Sequence, residues 1–131
     1  MKYLVDTSVA LWTVLDDRQL NRRAKSVLSS SASSLYFSSA SVWEIAIKYS
    51  SGDLRLHSEP GIFVPEMIRG MQMQALHMTH THAMEAGRLP RIHGDPFDRM
   101  LVAQASCEQL VLLTADEKLT KYPVRYFYCG R

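Results

Sequence analysis

Short apolar runs alternate along the chain with stretches whose apolar positions recur every three or four residues, a pattern that predicts strands and helices in turn. Tyr3-Leu4-Val5 and Leu110-Val111-Leu112-Leu113-Thr114 read as buried strands bounded by polar residues. Leu35-Tyr36-Phe37-Ser38, Gln74 to Met78 and Val124 to Tyr128 read as further strands. Val9 to Leu15 predicts a helix capped by Thr7 or Ser8 and stopped at Asp16-Asp17. Leu20 to Leu28 predicts a second, with Leu20, Ala24, Val27 and Leu28 on one face, and Ser41 to Tyr49 a third, broken by Ser50-Ser51-Gly52-Asp53. Leu54-Arg55-Leu56 reads as a brief extended piece. Pro60 to Met73, Thr79 to Leu89 and Asp95 to Cys107 read as the remaining helices, with a short turn at Lys118-Leu119. This alternation predicts an α/β fold, a three-layer α/β/α arrangement around a mainly parallel sheet of about five strands.

At 131 residues the chain is expected to form a single domain, residues 1–131. The serine-rich stretch Ser29 to Ser34 is short enough to be a surface turn. No apolar run has the length to span a bilayer, and the first residues enter a strand rather than a basic, apolar leader, so a cytoplasmic protein without membrane contact is expected. Cys107 and Cys129 show no CxxC spacing and read as inert thiols. A net charge of +2 and a pI near 8.6 permit a nucleic-acid partner without arguing for one.

Four acids change this picture. Asp6 and Asp116 fall at the carboxyl ends of two expected strands, and Glu44 and Asp98 in the first turns of two expected helices that can point at the same sheet edge. In an open α/β sheet, ligands bind in the crevice beyond those strand ends. Carboxylates gathered there would repel and some would retain protons. A hard divalent cation removes the conflict, and an all-oxygen set suits Mg²⁺ or Mn²⁺ better than zinc. Each acid also has a structural reading. Asp6 can be a helix cap, Ser41-Val42-Trp43-Glu44 matches a capping box, Asp95-Pro96-Phe97-Asp98 is a good helix start, and Asp116 can open a turn. Joint occurrence at one edge favours a shared site.

Other polar residues allow more than one role. His77, His80 and His82 would bind zinc only if their rings converged. His93 can touch a phosphate or cap a loop, and Arg99 can pair with an acid or face a nucleic acid, as can Lys48 and Arg91. Arg22, Arg23 and Lys25 read as a solvated or partner-binding face. Trp12, Trp43, Met67, Met71 and Met73 stand at spacings typical of a core or an interface.

Tyr3-Leu4-Val5-Asp6-Thr7-Ser8, Ser41-Val42-Trp43-Glu44-Ile45-Ala46-Ile47-Lys48 with Gly52 and Leu54, the stretch His93 to Ala105 (HGDPFDRMLVAQA), and Leu113-Thr114-Ala115-Asp116 resemble, in order and spacing, the PIN-domain ribonucleases. They are most similar to the VapC-type toxins of type II toxin–antitoxin pairs. The resemblance implies a PIN-like fold, with Asp6, Glu44, Asp98 and Asp116 as metal-binding catalytic acids. Asp95 would be a helper, with Thr7, Ser8, His93 and Arg99 as supporting residues. The sequence departs from the pattern at Ser8, where relatives of this type often carry His.

It further implies Mg²⁺- or Mn²⁺-dependent hydrolysis of single-stranded or loop RNA, such as tRNA or rRNA, leaving 5′-phosphate and 3′-hydroxyl ends. A cognate VapB-type antitoxin and a homodimer are also implied. Two alternatives stand beside it. A phosphoaspartate phosphatase would need a second Asp soon after Asp6, where the sequence has Thr7-Ser8-Val9-Ala10, and no P-loop is present. A non-catalytic PIN-fold module binding RNA or protein would have no reason to keep clustered negative charge.

Overall fold

Five strands, β1 (Lys2–Val5), β2 (Ser34–Ser38), β3 (Met73–Leu76), β4 (Val111–Thr114) and β5 (Tyr126–Tyr128), form one sheet of order β3-β2-β1-β4-β5, with every pairing parallel. The computed structural model describes residues 1–131. Period-two alternation divides the strand side chains between two cores. Tyr3 and Val5 of β1 and Val111 and Leu113 of β4 join a cluster of 16 buried residues. This cluster also takes residues from α1 (Thr7–Leu15), α2 (Arg22–Ser29), α3 (Ser39–Ser50) and α4 (Pro60–Gly70). Leu4 and Leu112 point the other way, into a cluster of 8 with Leu101, Val102 and Ala105 of α6 (Pro96–Glu108), against which α5 (His80–Arg88) packs. The sheet is thus covered on both faces, which explains why all of β4 is buried and reads as an unbroken apolar run. The expected three-layer α/β/α fold is the one observed. No helix is long and apolar enough to cross a membrane.

Several boundaries differ from those read in the sequence. Asp6, not Thr7 or Ser8, occupies the cap position of α1, and its side chain makes no capping bond there. Helix α2 begins at Arg22 rather than Leu20. Asn21 caps it by accepting from the Ala24 amide at 2.8 Å, while its Nδ2 donates to the Tyr128 and Gly130 carbonyls at 3.0 and 3.1 Å. One side chain therefore starts a helix and holds the C-terminal strand, and Leu20 is drawn into a bridge with Gly130.

The capping box expected at Ser41 and Glu44 does not form. Ser38 ends β2, accepts from the Ala40 amide at 3.0 Å and starts α3 early, leaving Glu44 in the second turn and free of any capping task. Leu54 to Leu56 pair with no strand. Helix α4 ends at Gly70 instead of Met73, because Gln72 takes a left-handed conformation (φ 55°) and Met73 opens β3. The last strand begins at Tyr126, not Val124.

Candidate metal centre

The chain lays β1, β2 and β3 outward in one direction, then returns to place β4 on the other side of β1. Connections that diverge at neighbouring strands leave a crevice above their carboxyl ends. Asp6 directly follows β1, and its backbone N–H donates to the Leu113 carbonyl of β4 at 3.0 Å, locking the two strand ends together. Asp116 stands two residues past β4, Glu44 comes from α3, and Asp98 is the third residue of α6. All four line one cavity of about 550 Å³, together with Ser8, Asp95 and Lys48.

Burial and like charge decide the electrostatics. Asp6 is 4% exposed, and its pKa is pushed up to about 6, first by burial and then by Glu44 and Asp116, against the lowering effect of a hydrogen bond from Thr114. Asp98 is pushed up to about 8, again first by burial and then by Asp6, Asp95, Glu44 and Asp116. Glu44 is equally buried. Its Oε2 accepts from Lys48 Nζ at 2.8 Å, while Oε1 is buried with no partner at all. That hydrogen bond, first among its causes, raises the pKa of Lys48. An orphaned carboxylate oxygen beside two acids whose charged forms are disfavoured is what a divalent cation would correct, and the oxygen-rich donor set fits Mg²⁺ or Mn²⁺. His93, Asp98 and Asp116 each bring one potential ligand atom within 4.8 Å of the other two.

The supporting residues have unequal parts. Asp95 caps α6 through Oδ1, which accepts from the Phe97 and Asp98 amides at 2.8 and 3.3 Å, and so sets the position of Asp98. Ser8 lies exposed at the cavity, whereas the Thr7 hydroxyl is buried without a partner. His93 does more than cap a loop. Its Nε2 hydrogen-bonds Asp116 Oδ2 at 3.0 Å and lies 3.0 Å from Asp98 Oδ2.

Arg99 makes no ion pair with an acid and does not line this cavity. Its guanidinium donates to the carbonyls of Ala86, Leu89 and Pro90 at 2.8, 3.2 and 3.0 Å, clamping the end of α5 and the start of the loop that leads to α6. A planar fork of five donors suits a cluster of loop carbonyls. The histidines of HMTHTH do not converge. His82 is buried, with Nε2 paired to Glu108 Oε2 at 2.8 Å and Nδ1 accepting from the Thr79 amide in a capping box, while His77 and His80 are exposed. Of the residues expected in a core or an interface, Met67 and Met73 are core, and Trp43 is 58% exposed and edge-on to Phe97.

Thr114 is the residue that sequence reasoning missed. Fully buried at the end of β4, it donates through Oγ1 to Asp6 Oδ2 at 2.8 Å and accepts from the Asp116 amide at 3.0 Å, tying two of the acids to one hydroxyl. A hydroxyl residue two positions before a strand-end acid was its only signal.

Fold and site together define an α/β/α domain with an acidic pit at the switch point of a parallel sheet. Residues 3–124 match the PIN domain family model, and the chain belongs to that family. No curated protein matches the sequence. Among solved structures, the fold is similar to a chain of VapBC2 from Rickettsia felis bound to a promoter DNA fragment. That match has a TM-score of 0.74 and 14% identity, covering 99% of this chain and 100% of the other. DNA-bound VapBC from Salmonella typhimurium gives 0.68 at 19% identity, with 98% of each chain covered. FitAcB from Neisseria gonorrhoeae gives 0.64 at 17% identity, covering 97% and 96%.

Proposed function

We propose that this PIN domain is a metal-dependent endoribonuclease toxin of the VapC type. The observation that carries the reading is the convergence of Asp6, Glu44, Asp98 and Asp116, from four separate elements, in one cavity where burial and mutual repulsion raise the pKa values of Asp6 and Asp98. In this reading the four acids hold Mg²⁺ or Mn²⁺, which when bound lowers the pKa of a water and neutralises charge on the scissile phosphate. Asp6 and Asp116, fixed by Thr114, form the rigid side of the site. Glu44 and Asp98 close it from α3 and from the start of α6. Lys48, half-exposed beside Glu44, is placed to meet a phosphate oxygen once an ion takes the carboxylate. Water is the nucleophile, so no covalent protein intermediate forms.

The substrate class is single-stranded or loop RNA, tRNA or rRNA among the candidates, because unpaired backbone can enter an open cavity that a regular duplex cannot. The similarity in fold to chains of VapBC assemblies supports a VapB-type antitoxin as partner. A homodimer of this chain acting in the cytoplasm completes the proposal.

The test is incubation of the protein with a pool of structured RNAs in Mg²⁺, Mn²⁺ or EDTA, beside Asp98→Asn. Cleavage is expected with metal, none in EDTA, and a loss of about a hundredfold or more in the variant, the scale on which removal of one preorganised charged group is felt. RNA left intact under every metal condition would instead favour a non-catalytic binding module.

A further inference from the structure

We propose that His93 is a resident hydrogen-bond donor of the acidic pit which competes with the metal ion for Asp98 and Asp116. The inference rests on the metal-centre reading above and concerns a side chain that the four acids do not need for coordination.

The ring is held in one orientation from several sides. Its Nδ1 accepts from the Asp95 backbone N–H at 3.3 Å. In a neutral imidazole that leaves the proton on Nε2, which is therefore a donor and has no lone pair to offer a cation. Nε2 donates to Asp116 Oδ2 at 3.0 Å and sits 3.0 Å from Asp98 Oδ2. The backbone is pinned as well. The His93 N–H donates to the Tyr122 hydroxyl at 2.9 Å, and Arg99 reaches the His93 carbonyl at 3.5 Å and the Tyr122 hydroxyl at 3.4 Å. Turning Nε2 into a ligand would require the proton to move to Nδ1, where it would face the Asp95 amide hydrogen.

His93 accordingly bridges the side chains of Asp98 and Asp116 while no ion is bound. An ion that takes the same Oδ2 atoms displaces that bond. The tie stabilises the metal-free protein more than the metal-bound one, so by linkage its removal makes the metal bind more tightly. The Arg99 clamp on the segment from Ala86 to His93 thereby acquires a purpose at a distance, since it keeps the imidazole where it can compete.

The experiment is calorimetric titration of Mn²⁺ into the wild-type protein, His93→Ala and His93→Gln, with thermal melts of each in EDTA and in Mn²⁺. The Gln amide reaches as far as Nε2 and can donate in its place. Expected are Mn²⁺ affinity about tenfold higher in the Ala variant, a lower melting temperature in EDTA, a larger shift on adding metal, and wild-type behaviour restored by Gln. Pulsed EPR of the Mn²⁺-bound wild-type protein should show no directly coordinated histidine nitrogen. Weaker Mn²⁺ binding by His93→Ala, or a coordinated nitrogen that this variant loses, would make His93 a ligand and overturn the proposal. Unchanged affinity would overturn it too. A wild-type protein that binds no Mn²⁺ would instead sink the metal-centre reading itself.

Discussion

A single hydroxyl, that of Thr114, carries much of the order at the acidic pit. It satisfies one oxygen of the buried Asp6 carboxyl and receives the Asp116 amide, so both acids depend on it. Thr114→Val keeps the shape and removes the donor, leaving a buried oxygen unpaired. Such a loss costs about 1–3 kcal/mol. Urea unfolding at neutral pH should register that loss as a lower midpoint with an unchanged slope, and Thr114→Ser, which keeps the hydroxyl, should recover most of it. Because the Thr114 bond lowers the pKa of Asp6, the valine variant should also hold its proton to a higher pH.

Residue roles were the least legible part of the sequence, for a physical reason. Thr114, Arg99 and His82 each use groups that only the tertiary fold brings near: a strand-end carboxyl, carbonyls at the end of α5 and in the loop after it, and Glu108 of α6. Asp6 and Asp116 were legible because a buried parallel strand is an unbroken apolar run, and a charged residue just past it has one place to go.

At the scale of elements, helix and strand identities could be read from periodicity, while their ends could not. Ser38, Ser39 and Ser41 are all competent caps, and the choice among them falls to where β2 stops pairing. That choice moved Glu44 from a capping role into the pit. The end of α6 shows the same local freedom. Its cap, Gln109, sits at φ 56° and ψ 46°, a left-handed conformation that costs a residue with a Cβ about 1 kcal/mol and glycine almost nothing. Gln109→Gly should therefore stabilise the protein, by about 0.5–1 kcal/mol in denaturant unfolding. The substitution lies at the far end of α6 from Asp98, so cleavage activity should not change. A destabilised variant would mean that the side chain, not the backbone, dominates at this cap.

For the whole molecule, the acidic pit links stability to pH and to metal. Asp6 and Asp98 ionise near 3.8 when unfolded but at about 6 and about 8 in the fold. Between the unfolded and folded values the native state binds more protons than the unfolded chain, so stability is fully present below about 4 and falls as pH rises toward about 8. In EDTA the melting temperature should drop between about pH 5.5 and about pH 8.5. Mg²⁺ or Mn²⁺ should restore most of the loss at the higher pH, where the carboxylates are free to bind it, and little at the lower. Equal metal protection at both values would place the ion elsewhere. The parallel sheet makes this linkage possible, since its switch point is the one place where strand ends can hold buried acids close together and still open to a ligand.

The chemistry of the cut ends tests the central claim most directly. RNA fragments produced by the wild-type protein in Mn²⁺ are mapped for their termini, with Asp98→Asn as the control. Water attacking a phosphodiester under metal activation leaves 5′-phosphate and 3′-hydroxyl ends, and those ends are expected from the wild type and not from the variant. Cyclic 2′,3′-phosphate ends, or cuts that persist in Asp98→Asn, would contradict a metal-activated water held by Asp6, Glu44, Asp98 and Asp116.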